Sequence, residues 1–450
     1  MVIFMADDIE KIWWTFPRFK IERMVTGLEL PVNLAFVSKP TENPNEPLLY
    51  VTELYGKIKV ITNDWKAHNY AENLLNYEPN YEFPGTGESG LIGICVEPES
   101  GDLFVSMIYD GNDDVKNKLV RTKSKNGLKM DSMETILDNI PSIKAAHQMQ
   151  AITIGFDGKL YVNLGEGMVN PEVAQDDKDL RGKVLRMNLD GSIPEDNPNP
   201  DSLVFAKGFR NPFGARWRKS DKSLYISDNG PSYDDRIAKV EADKNYGWPE
   251  SMRENSLFWI QFTEGMTALD FMQNEEFPFE FEDELFVAYF GGSYVKGPSI
   301  KGKKIVKMKL NDDASAIKSY DVFVSYIGEN AASPCGLAFG PGGLYFTDLH
   351  GEKNGQTHAA NGNIYRVSSV IKTEGETLVP YTKENFSKCL CPGCPTRNEC
   401  MRNRDERLFC AGGKTGCDLE RKGCLCGECP VESEYGLTGF YYCSIGAAKQ

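Results

Sequence analysis

Three polar phrases between residues 147 and 235 carry side chains that could do chemistry. His147 stands just before the alternating phrase ITIGFDGKLYV, and Arg210 with Asn211 stands just before the phrase PFGARWR. An imidazole can act as a general base near neutral pH, and a fixed guanidinium can stabilise a developing negative charge. The segment DNGPSYDD, residues 228–235, supplies carbonyl and carboxylate oxygens of the kind that Ca²⁺ prefers. The sequence therefore offers a base, a cation and a hard-metal site.

Histidine is scarce in this chain. The four histidines are His68, His147, His350 and His358. A lone histidine is more often structural than catalytic, so position has to decide between these roles. The position of His147 at the entrance of a predicted strand favours it as the candidate general base.

A short strand phrase recurs along the first 350 residues and explains how these side chains are positioned. Its central leucines are Leu49, Leu103, Leu160, Leu224, Leu285 and Leu344, spaced 54 to 64 residues apart. An alternating apolar run precedes most copies, a second alternating run follows each, and Asp-Gly or Gly-Gly turns separate many of them. This pattern predicts antiparallel strands rather than helices.

A unit of about 60 residues with some four strands cannot bury both faces of its sheet alone, whereas a ring of such units can. We therefore predict that residues 20–370 form a six-bladed β-propeller in an all-β fold. A pair of β-sandwiches is the alternative, and six similarly spaced phrases favour the ring. His147, Arg210 and Asn211 lie just outside strand phrases, where loops form the mouth of a propeller channel.

Composition and charge limit the choice of partner. The chain has 450 residues and a net charge of −15. An acidic chain without a basic face argues against nucleic acid and against an anionic membrane surface. The N-terminal sequence MVIFMADDIEKIWW has no basic n-region and no apolar h-region, so we expect a cytoplasmic protein.

The C-terminal segment, residues 384–450, is predicted to be a separate cysteine-rich domain. Its cysteines are Cys389, Cys391, Cys394, Cys400, Cys410, Cys417, Cys424, Cys426, Cys429 and Cys443. So short a segment needs cross-links as well as a hydrophobic core. In a reducing compartment a subset of these thiolates best fits Zn²⁺, with an iron–sulfur cluster second and disulfides as a third alternative.

The motif order identifies a family resemblance. GESGLIGICVEPE, the histidine ahead of ITIGFDGKLYVNLGEG, LRGKVLRMNLDGSIPEDNP, FAKGFRNPFG, DNGPSYDD and NYGWPE occur in one order over about 340 residues. This arrangement resembles the soluble PQQ-dependent aldose dehydrogenases, the glucose/sorbosone dehydrogenase family. The C-terminal segment resembles a small cysteine-rich archaeal domain of unknown function.

The resemblance implies a reaction and roles for individual residues. It implies a six-bladed propeller that binds pyrroloquinoline quinone (PQQ) above Ca²⁺ and passes hydride from a sugar to the quinone, with a further electron acceptor as partner. His147 would be the general base, and Arg210 would lie against the quinone oxygens. Asn211 and Glu88 would contact the cofactor, and the carbonyl groups of Gly230 and Pro231 would hold Ca²⁺.

The sequence departs from the family pattern at several of these places. Family members commonly carry arginines for the PQQ carboxylates before the last blade, where this chain has Ser333 and Cys335. The candidates to substitute for them in part are Lys296, Lys301 and Lys303. Ala146 replaces a sugar-binding aspartate of the glucose enzymes, and Arg236 stands where an acidic residue is common. We predict a PQQ-dependent sugar dehydrogenase-like oxidoreductase; the alternative is a non-catalytic propeller that binds a carbohydrate or a protein.

Overall fold

The structure is a computed structural model that describes residues 9–77, 88–111, 114–143, 147–274, 277–292, 295–351, 360–370 and 377–449. Two compact units divide the chain. The first comprises Met1–Trp14, Glu22–Asn274 and Glu282–Arg366, and the second comprises Thr15–Ile21, Glu275–Phe281 and Val367–Gln450. No helix in the described ranges is long and apolar enough to cross a membrane.

Two N-terminal strands, β1 (Trp13–Thr15) and β2 (Phe19–Leu28), precede the first blade. The strands of blades 1 to 3 are β3 (Pro31–Phe36), β4 (Pro47–Glu53), β5 (Lys57–Thr62), β6 (Ala67–Ala71), β7 (Leu91–Val96), β8 (Leu103–Asp110), β9 (Val115–Lys123), β10 (Ser132–Pro141), β11 (Met149–Ile154), β12 (Leu160–Leu164), β13 (Lys183–Met187) and β14 (Val204–Lys207). Each blade is a four-stranded antiparallel sheet in sequence order.

Blades 4 to 6 repeat this plan. Their strands are β15 (Pro212–Arg218), β16 (Ser223–Asp228), β17 (Asp235–Val240), β18 (Phe258–Ile260), β19 (Met266–Phe271), β20 (Leu285–Tyr289), β21 (Lys304–Leu310), β22 (Ile317–Tyr326), β23 (Pro334–Gly340), β24 (Gly343–Asp348) and β25 (Gly362–Ser369). Strand β1 adds a fifth strand to the edge of blade 5, and β2 pairs with β25 as the outermost strand of blade 6.

The innermost strands of the six sheets close a ring. Strand β3 contacts β7, and contacts continue through β11, β15, β19 and β23 back to β3. Apolar side chains fill the space between neighbouring blades; Ile58 and Val60 of blade 1, for example, share a cluster with Leu103 and Val105 of blade 2. The predicted six-bladed β-propeller is confirmed, and the alternative of two sandwiches is wrong because each sheet packs on its sequence neighbours around a ring.

The antiparallel pairing of the two inner strands determines where the polar residues lie. The start of each innermost strand lies beside the end of the second strand, as in the pairs Met149 with Leu164 and Pro212 with Asp228. Residues before the innermost strands therefore meet residues after the second strands at one mouth of the channel. His147, Arg210 and Asn211 occupy such positions.

The second unit is small and helical. Its helices are α1 (Lys383–Lys388), α2 (Glu399–Asn403), α3 (Phe409–Gly412), α4 (Pro430–Glu434) and α5 (Tyr442–Ile445). Thr382 and Asn398 accept hydrogen bonds from backbone N–H groups and begin α1 and α2. Within this unit Arg18 pairs with Glu280 at 3.2 Å and donates to Tyr381 Oη at 2.9 Å. The unit therefore recruits segments from outside the predicted range 384–450.

Candidate active site

Glu88 connects three blades at the channel mouth. It precedes β7, and its carboxylate accepts hydrogen bonds from His147 N–H at 3.3 Å, Gln150 Nε2 at 3.1 Å and Asn211 Nδ2 at 3.3 Å. Asn211 and Gln150 also contact each other at 3.3 Å. Three residues predicted for the site, Glu88, His147 and Asn211, are thus brought together.

His147 is paired with Glu166, which follows the second strand of the same blade. The distance between His147 Nδ1 and Glu166 Oε1 is 2.7 Å, and both side chains are buried. A carboxylate can only accept, so ionised Glu166 holds the proton on Nδ1. His147 Nε2 has no hydrogen-bond partner in the described part of the chain, so its lone pair is the one that can accept a proton.

The backbone around His147 is tightly constrained. His147 has a φ of 57°, in the left-handed region. A Cβ atom on Gly165 would lie 2.5 Å from the carbonyl oxygen of His147. Position 165, directly after β12, therefore needs glycine. The side chain of Gln148 exchanges two hydrogen bonds with the backbone of Gly90, at 3.1 and 2.9 Å. These contacts hold the imidazole in one place.

Arg210 lies close to the same carboxylates. Its Nη1 donates to the carbonyl groups of Asn229 and Gly230, at 2.9 Å each, and its guanidinium lies 5.6 Å from the centre of the Trp248 ring. Burial lowers the pKa of Arg210, and the negative charges of Asp228, Glu166 and Glu88 counteract this effect. The cation and the imidazole therefore share one acidic environment.

Asp228 fixes the backbone of the Arg210–Asn211 pair. Its carboxylate accepts from Asn211 N–H at 2.7 Å and from Arg210 N–H at 3.2 Å. On its other side Asp228 pairs with Arg236 at 2.7 Å, and both side chains are fully buried. Arg236 also donates to the carbonyl groups of Gly208 and Met252. Arg236 is thus a structural cation behind the site.

The predicted calcium ligands lie in the turn after β16. Gly230 N–H donates to Asp235 Oδ1 at 2.8 Å, and a Cβ on Gly230 would meet the backbone of this turn. The Gly230 carbonyl oxygen already accepts from Arg210 at 2.9 Å and from Thr263 Oγ1 at 3.4 Å. The Pro231 carbonyl accepts from Ser232. A calcium ion at Gly230 would have to displace the guanidinium.

A cavity of about 110 Å³ lies at the mouth beside Glu88. Apolar side chains from the innermost strands and Cys335 dominate its lining, and none of the described lining residues is a lysine or an arginine. Burial raises the pKa of Cys335 to about 12, so its thiol is neutral. Ser333 is fully buried and donates to the Ala332 carbonyl.

The three lysines proposed as substitutes do not line this cavity. Lys303 is buried and donates to the carbonyl groups of Val295 and Gly297. Lys296 and Lys301 are exposed, and Lys301 lies over the Phe262 ring. Ala146 lies outside the described residues.

The residues at the mouth suit part of a quinone cofactor such as PQQ. His147, Arg210 and Asn211 offer a base, a cation and an amide donor of the kind that quinone oxygens accept from, and the fully buried Gln150 Oε1 has no hydrogen-bond partner in the described ranges. The cavity beside Glu88 is lined by apolar groups and Glu88. Cofactor carboxylates would be poorly accommodated in it because none of its described lining residues is a cation.

The cysteines of the second unit divide into two kinds. Cys400 and Cys417 form a disulfide with a Cα–Cα distance of 6.1 Å, so they stand outside the predicted subset of metal-binding cysteines because their sulfurs are bonded to each other. The other eight are free and line one cavity of about 40 Å³. In the described ranges, no three His, Cys, Asp or Glu side chains are gathered closely enough to hold a metal ion as they stand.

Sequence reasoning missed the groups that support the predicted residues. Glu166 belongs to the phrase GKLYVNLGEG and follows the second strand of the blade that His147 precedes. An acidic residue at that position was the available sequence signal. Gln150 lies inside a strand, where no sequence signal marks a polar network. Asp228 was expected as a source of metal ligands, and it anchors backbone N–H groups instead.

A six-bladed propeller with an imidazole–carboxylate pair and a guanidinium at one channel mouth defines the structural class. The chain belongs to the glucose/sorbosone dehydrogenase family, whose profile matches residues 28–273. The predicted resemblance is therefore confirmed.

Individual relatives agree with this assignment. The chain is 23% identical over 334 residues to aldose sugar dehydrogenase YliI of Escherichia coli, covering 67% of this chain and 83% of that protein. The PQQ-bound aldose sugar dehydrogenase of Streptomyces coelicolor has the same fold, with a TM-score of 0.58, 20% identity and coverage of 79% of this chain and 100% of that one.

The C-terminal segment has relatives of its own. Residues 389–444 match a family described as a protein of unknown function, DUF2769. An uncharacterized protein of Archaeoglobus fulgidus is 43% identical over 47 residues, which cover 10% of this chain and 94% of that protein. The expected archaeal resemblance is confirmed.

Proposed function

We propose that the propeller is a sugar dehydrogenase-like oxidoreductase in which His147 removes the proton from a sugar hydroxyl. The 2.7 Å contact between His147 Nδ1 and Glu166 Oε1 carries this proposal. A buried carboxylate fixes the tautomer that leaves Nε2 as the base, and it stabilises the imidazolium that forms after proton transfer. A positioned base of this kind contributes about 10²–10⁴ to the rate.

Arg210 supplies fixed positive charge beside the reacting groups. Asp228 holds its backbone, and the carbonyl groups of Asn229 and Gly230 hold its guanidinium, so little reorganisation is needed when negative charge develops nearby. When bound, PQQ supplies the acceptor for the hydride that leaves the sugar carbon. Asn211, tied to Glu88 and Asp228, orients groups at the same mouth.

The chemistry of the mouth supports a hydroxyl-rich substrate. Glu88 presents carboxylate oxygens that accept hydrogen bonds from the uncharged amide donors of Gln150 and Asn211. Sugar hydroxyl groups donate hydrogen bonds and carry no charge, so they suit such acceptors. We therefore propose an aldose as the substrate and an external electron acceptor as the second partner.

We propose that PQQ binds weakly. Two missing charge-assisted contacts at the carboxylate side, at about 1.5–3 kcal/mol each, would weaken binding by about 10²–10⁴. Ca²⁺ at the Gly230 and Pro231 carbonyl groups would require Arg210 to give up its hydrogen bond to the Gly230 carbonyl. The cost of breaking this bond would lower the affinity for PQQ and Ca²⁺ further.

The test is a titration of the purified chain with PQQ and Ca²⁺, followed by dye reduction with a panel of aldoses. We expect a quinone absorbance on the protein at micromolar or higher cofactor concentration, together with sugar-dependent dye reduction. The proposal fails if well-folded protein neither binds the cofactor nor reduces the dye with any aldose.

A non-catalytic binding module is the second candidate. The cation-free lining of the mouth cavity, among the described residues, favours it. Isothermal titration with the same aldoses separates the two functions. Sugar binding without dye reduction at saturating PQQ supports the binding module, whereas turnover contradicts it.

A further inference from the structure

The second unit contains an internal repeat built around its free cysteines. The phrase CLCPGC, residues 389–394, recurs as CLCGEC, residues 424–429, and a further cysteine follows each copy at Cys410 and Cys443. In both copies the second cysteine begins a short 3₁₀ turn, Cys391–Gly393 and Cys426–Glu428. Two copies of one local structure therefore present four thiols each.

The helices that carry the last cysteine of each copy also match. Helix α3 follows Leu408, with a φ of 53°, and α5 follows Tyr441, with a φ of 57°. Both helices end at a glycine with a ψ of −175°, Gly413 and Gly446. The backbone of the repeat is therefore the same before and after Cys410 and Cys443.

Backbone N–H groups donate to equivalent sulfurs in the two copies. Leu408 N–H donates to Cys389 Sγ at 3.2 Å, and Tyr441 N–H donates to Cys424 Sγ at 3.3 Å. Hydrogen bonds of this kind favour the thiolate form, the form that binds metal ions. The left-handed residues before α3 and α5 thus have a common role.

The third cysteine of each phrase lies with the other copy. Cys394 Sγ contacts the carbonyl of Gly423, the residue directly before Cys424, at 3.5 Å. Thr396 Oγ1 donates to the same carbonyl, and Lys422 N–H donates to Thr396 Oγ1 at 3.0 Å, so the chain after Cys394 runs beside the chain before Cys424.

The start of the first copy is likewise tied to the end of the second. Lys388, directly before Cys389, pairs at 2.9 Å with Glu434 of α4, the helix that begins directly after Cys429. Asn385 Nδ2, one turn earlier, donates to Tyr435 Oη at 3.1 Å. Each copy thus begins beside the third cysteine of the other copy.

We propose that this unit binds two Zn²⁺ ions, each held by four thiolates drawn from both copies of the repeat. The first site comprises Cys389, Cys391, Cys410 and Cys429. The second comprises Cys394, Cys424, Cys426 and Cys443. This crossed arrangement ties the two copies together, so the ions join parts of the chain that share only a small hydrophobic core.

Ligand chemistry favours zinc. All eight cysteines line one cavity of about 40 Å³, so each set of four can converge. Four thiolates around one ion are a common structural zinc site.

Binding requires the sulfurs of each set to draw together, because no three are yet gathered around one point in the described structure. The thiols lose their protons when the zinc–sulfur bonds form, so uptake releases up to four protons per ion. Each completed site carries a charge of −2. Arg397, which lines the cavity, partly balances it.

The test is the zinc content of full-length protein purified without added metal. We expect two zinc ions per chain and no iron. Cys389→Ser/Cys429→Ser should retain one ion, because both residues belong to one site. Cys389→Ser/Cys394→Ser should retain none, although both residues lie in one CLCPGC phrase. Cys95→Ser, in the propeller, is the matched control and should retain two.

The wild-type protein offers a measurement that does not depend on variant folding. One equivalent of chelator is added, exposed thiols are alkylated, and peptides are mapped by mass spectrometry. Protection should follow the two crossed sets of four. Iron with sulfide, no bound metal, or protection that follows the two sequence copies would overturn the proposal.

Discussion

In the proposed reaction, the short contact between His147 and Glu166 determines which ring nitrogen of His147 would act as the base. Because the carboxylate is buried and accepts from Nδ1, Nε2 is the nitrogen that remains for a substrate hydroxyl. Glu166 also accepts from the backbone N–H of Met168 at 3.0 Å, which limits its rotation. Glu166 is therefore a positioning residue.

Replacing Glu166 by glutamine tests this role. A glutamine can present its amide N–H to the ring and select the wrong tautomer, so we expect Glu166→Gln to lower kcat by about 10²-fold or more. The pH profile of kcat should shift as well, which loss of packing alone would not cause. Steady-state kinetics against Glu172→Gln, an exposed control, make the comparison. Equal kcat values for the two variants would contradict the assignment.

Asp348 provides a pH prediction at the same scale. Burial raises the pKa of Asp348 to about 6 from an ordinary 3.8, although Ser333 N–H donates to it at 2.9 Å. The folded protein thus binds this proton more tightly than the unfolded chain does. Its contribution to stability is complete below about pH 4 and is lost as the pH rises through about 6.

We therefore expect Asp348→Asn to gain stability relative to the wild type as the pH rises from 4 to 8, by about 3 kcal/mol. Urea unfolding at several pH values measures the difference. The exposed Asp201→Asn is the control and should follow the wild type. Parallel curves for Asp348→Asn and the wild type would refute the ionisation argument.

At this scale the sequence predicted which polar residues lie together at the mouth better than it predicted their environment. His147, Arg210, Asn211 and Glu88 were recognisable because they stand in motifs. The contact of Arg210 with the Gly230 carbonyl depends on the closed turn after β16, so the calcium assignment could not be tested from spacing alone. Glu166 is nineteen residues from His147 and meets it only because β11 and β12 pair.

At the scale of elements, the recurring leucine identifies the second strand of each blade. The six leucines lie in β4, β8, β12, β16, β20 and β24 and are almost fully buried. A local pattern predicted these strands well because each lies between two packed blades. The strand pairing that closes the ring was not predictable from the sequence. Strand β2 pairs with β25 across more than 300 residues, and neither strand carries a sequence signal for its partner.

Strand β2 should be essential for closing the ring. Leu28 is buried in the cluster that joins blades 1 and 6, so Leu28→Ala should lower the free energy of unfolding by about 2–5 kcal/mol. Thr26→Ala, on the same strand but exposed, is the matched control. Chemical denaturation of both variants provides the comparison. A similarly small effect for both would show that the ring does not depend on this strand.

At the scale of the whole molecule, the chain combines two compact units with different means of stabilisation. The propeller has apolar clusters between its blades, such as one without cysteines between blades 4 and 5, whereas the core of the second unit includes five of its cysteines. The predicted boundary at residue 384 missed the contribution of Thr15–Ile21, because nothing in that segment marks it as part of a distant domain. The cytoplasmic location expected from the N-terminus remains a prediction.

Two units stabilised differently should unfold separately. We expect two calorimetric transitions. A strong chelator should lower the midpoint temperature of only the transition that belongs to the cysteine-rich unit. Tryptophan fluorescence assigns the propeller transition, because all six tryptophans lie in the first unit. A single transition that moves as a whole with chelator would contradict independent stabilisation.

The rate of aldose oxidation by His147→Ala, measured beside its affinity for the sugar, tests the central claim most directly. We predict that dye-linked turnover falls by about 10²–10⁴ while sugar affinity changes by less than about tenfold. His68→Ala, an exposed histidine on β6, should behave as the wild type. Turnover that survives in His147→Ala at the wild-type rate would contradict the proposal that this imidazole is the base.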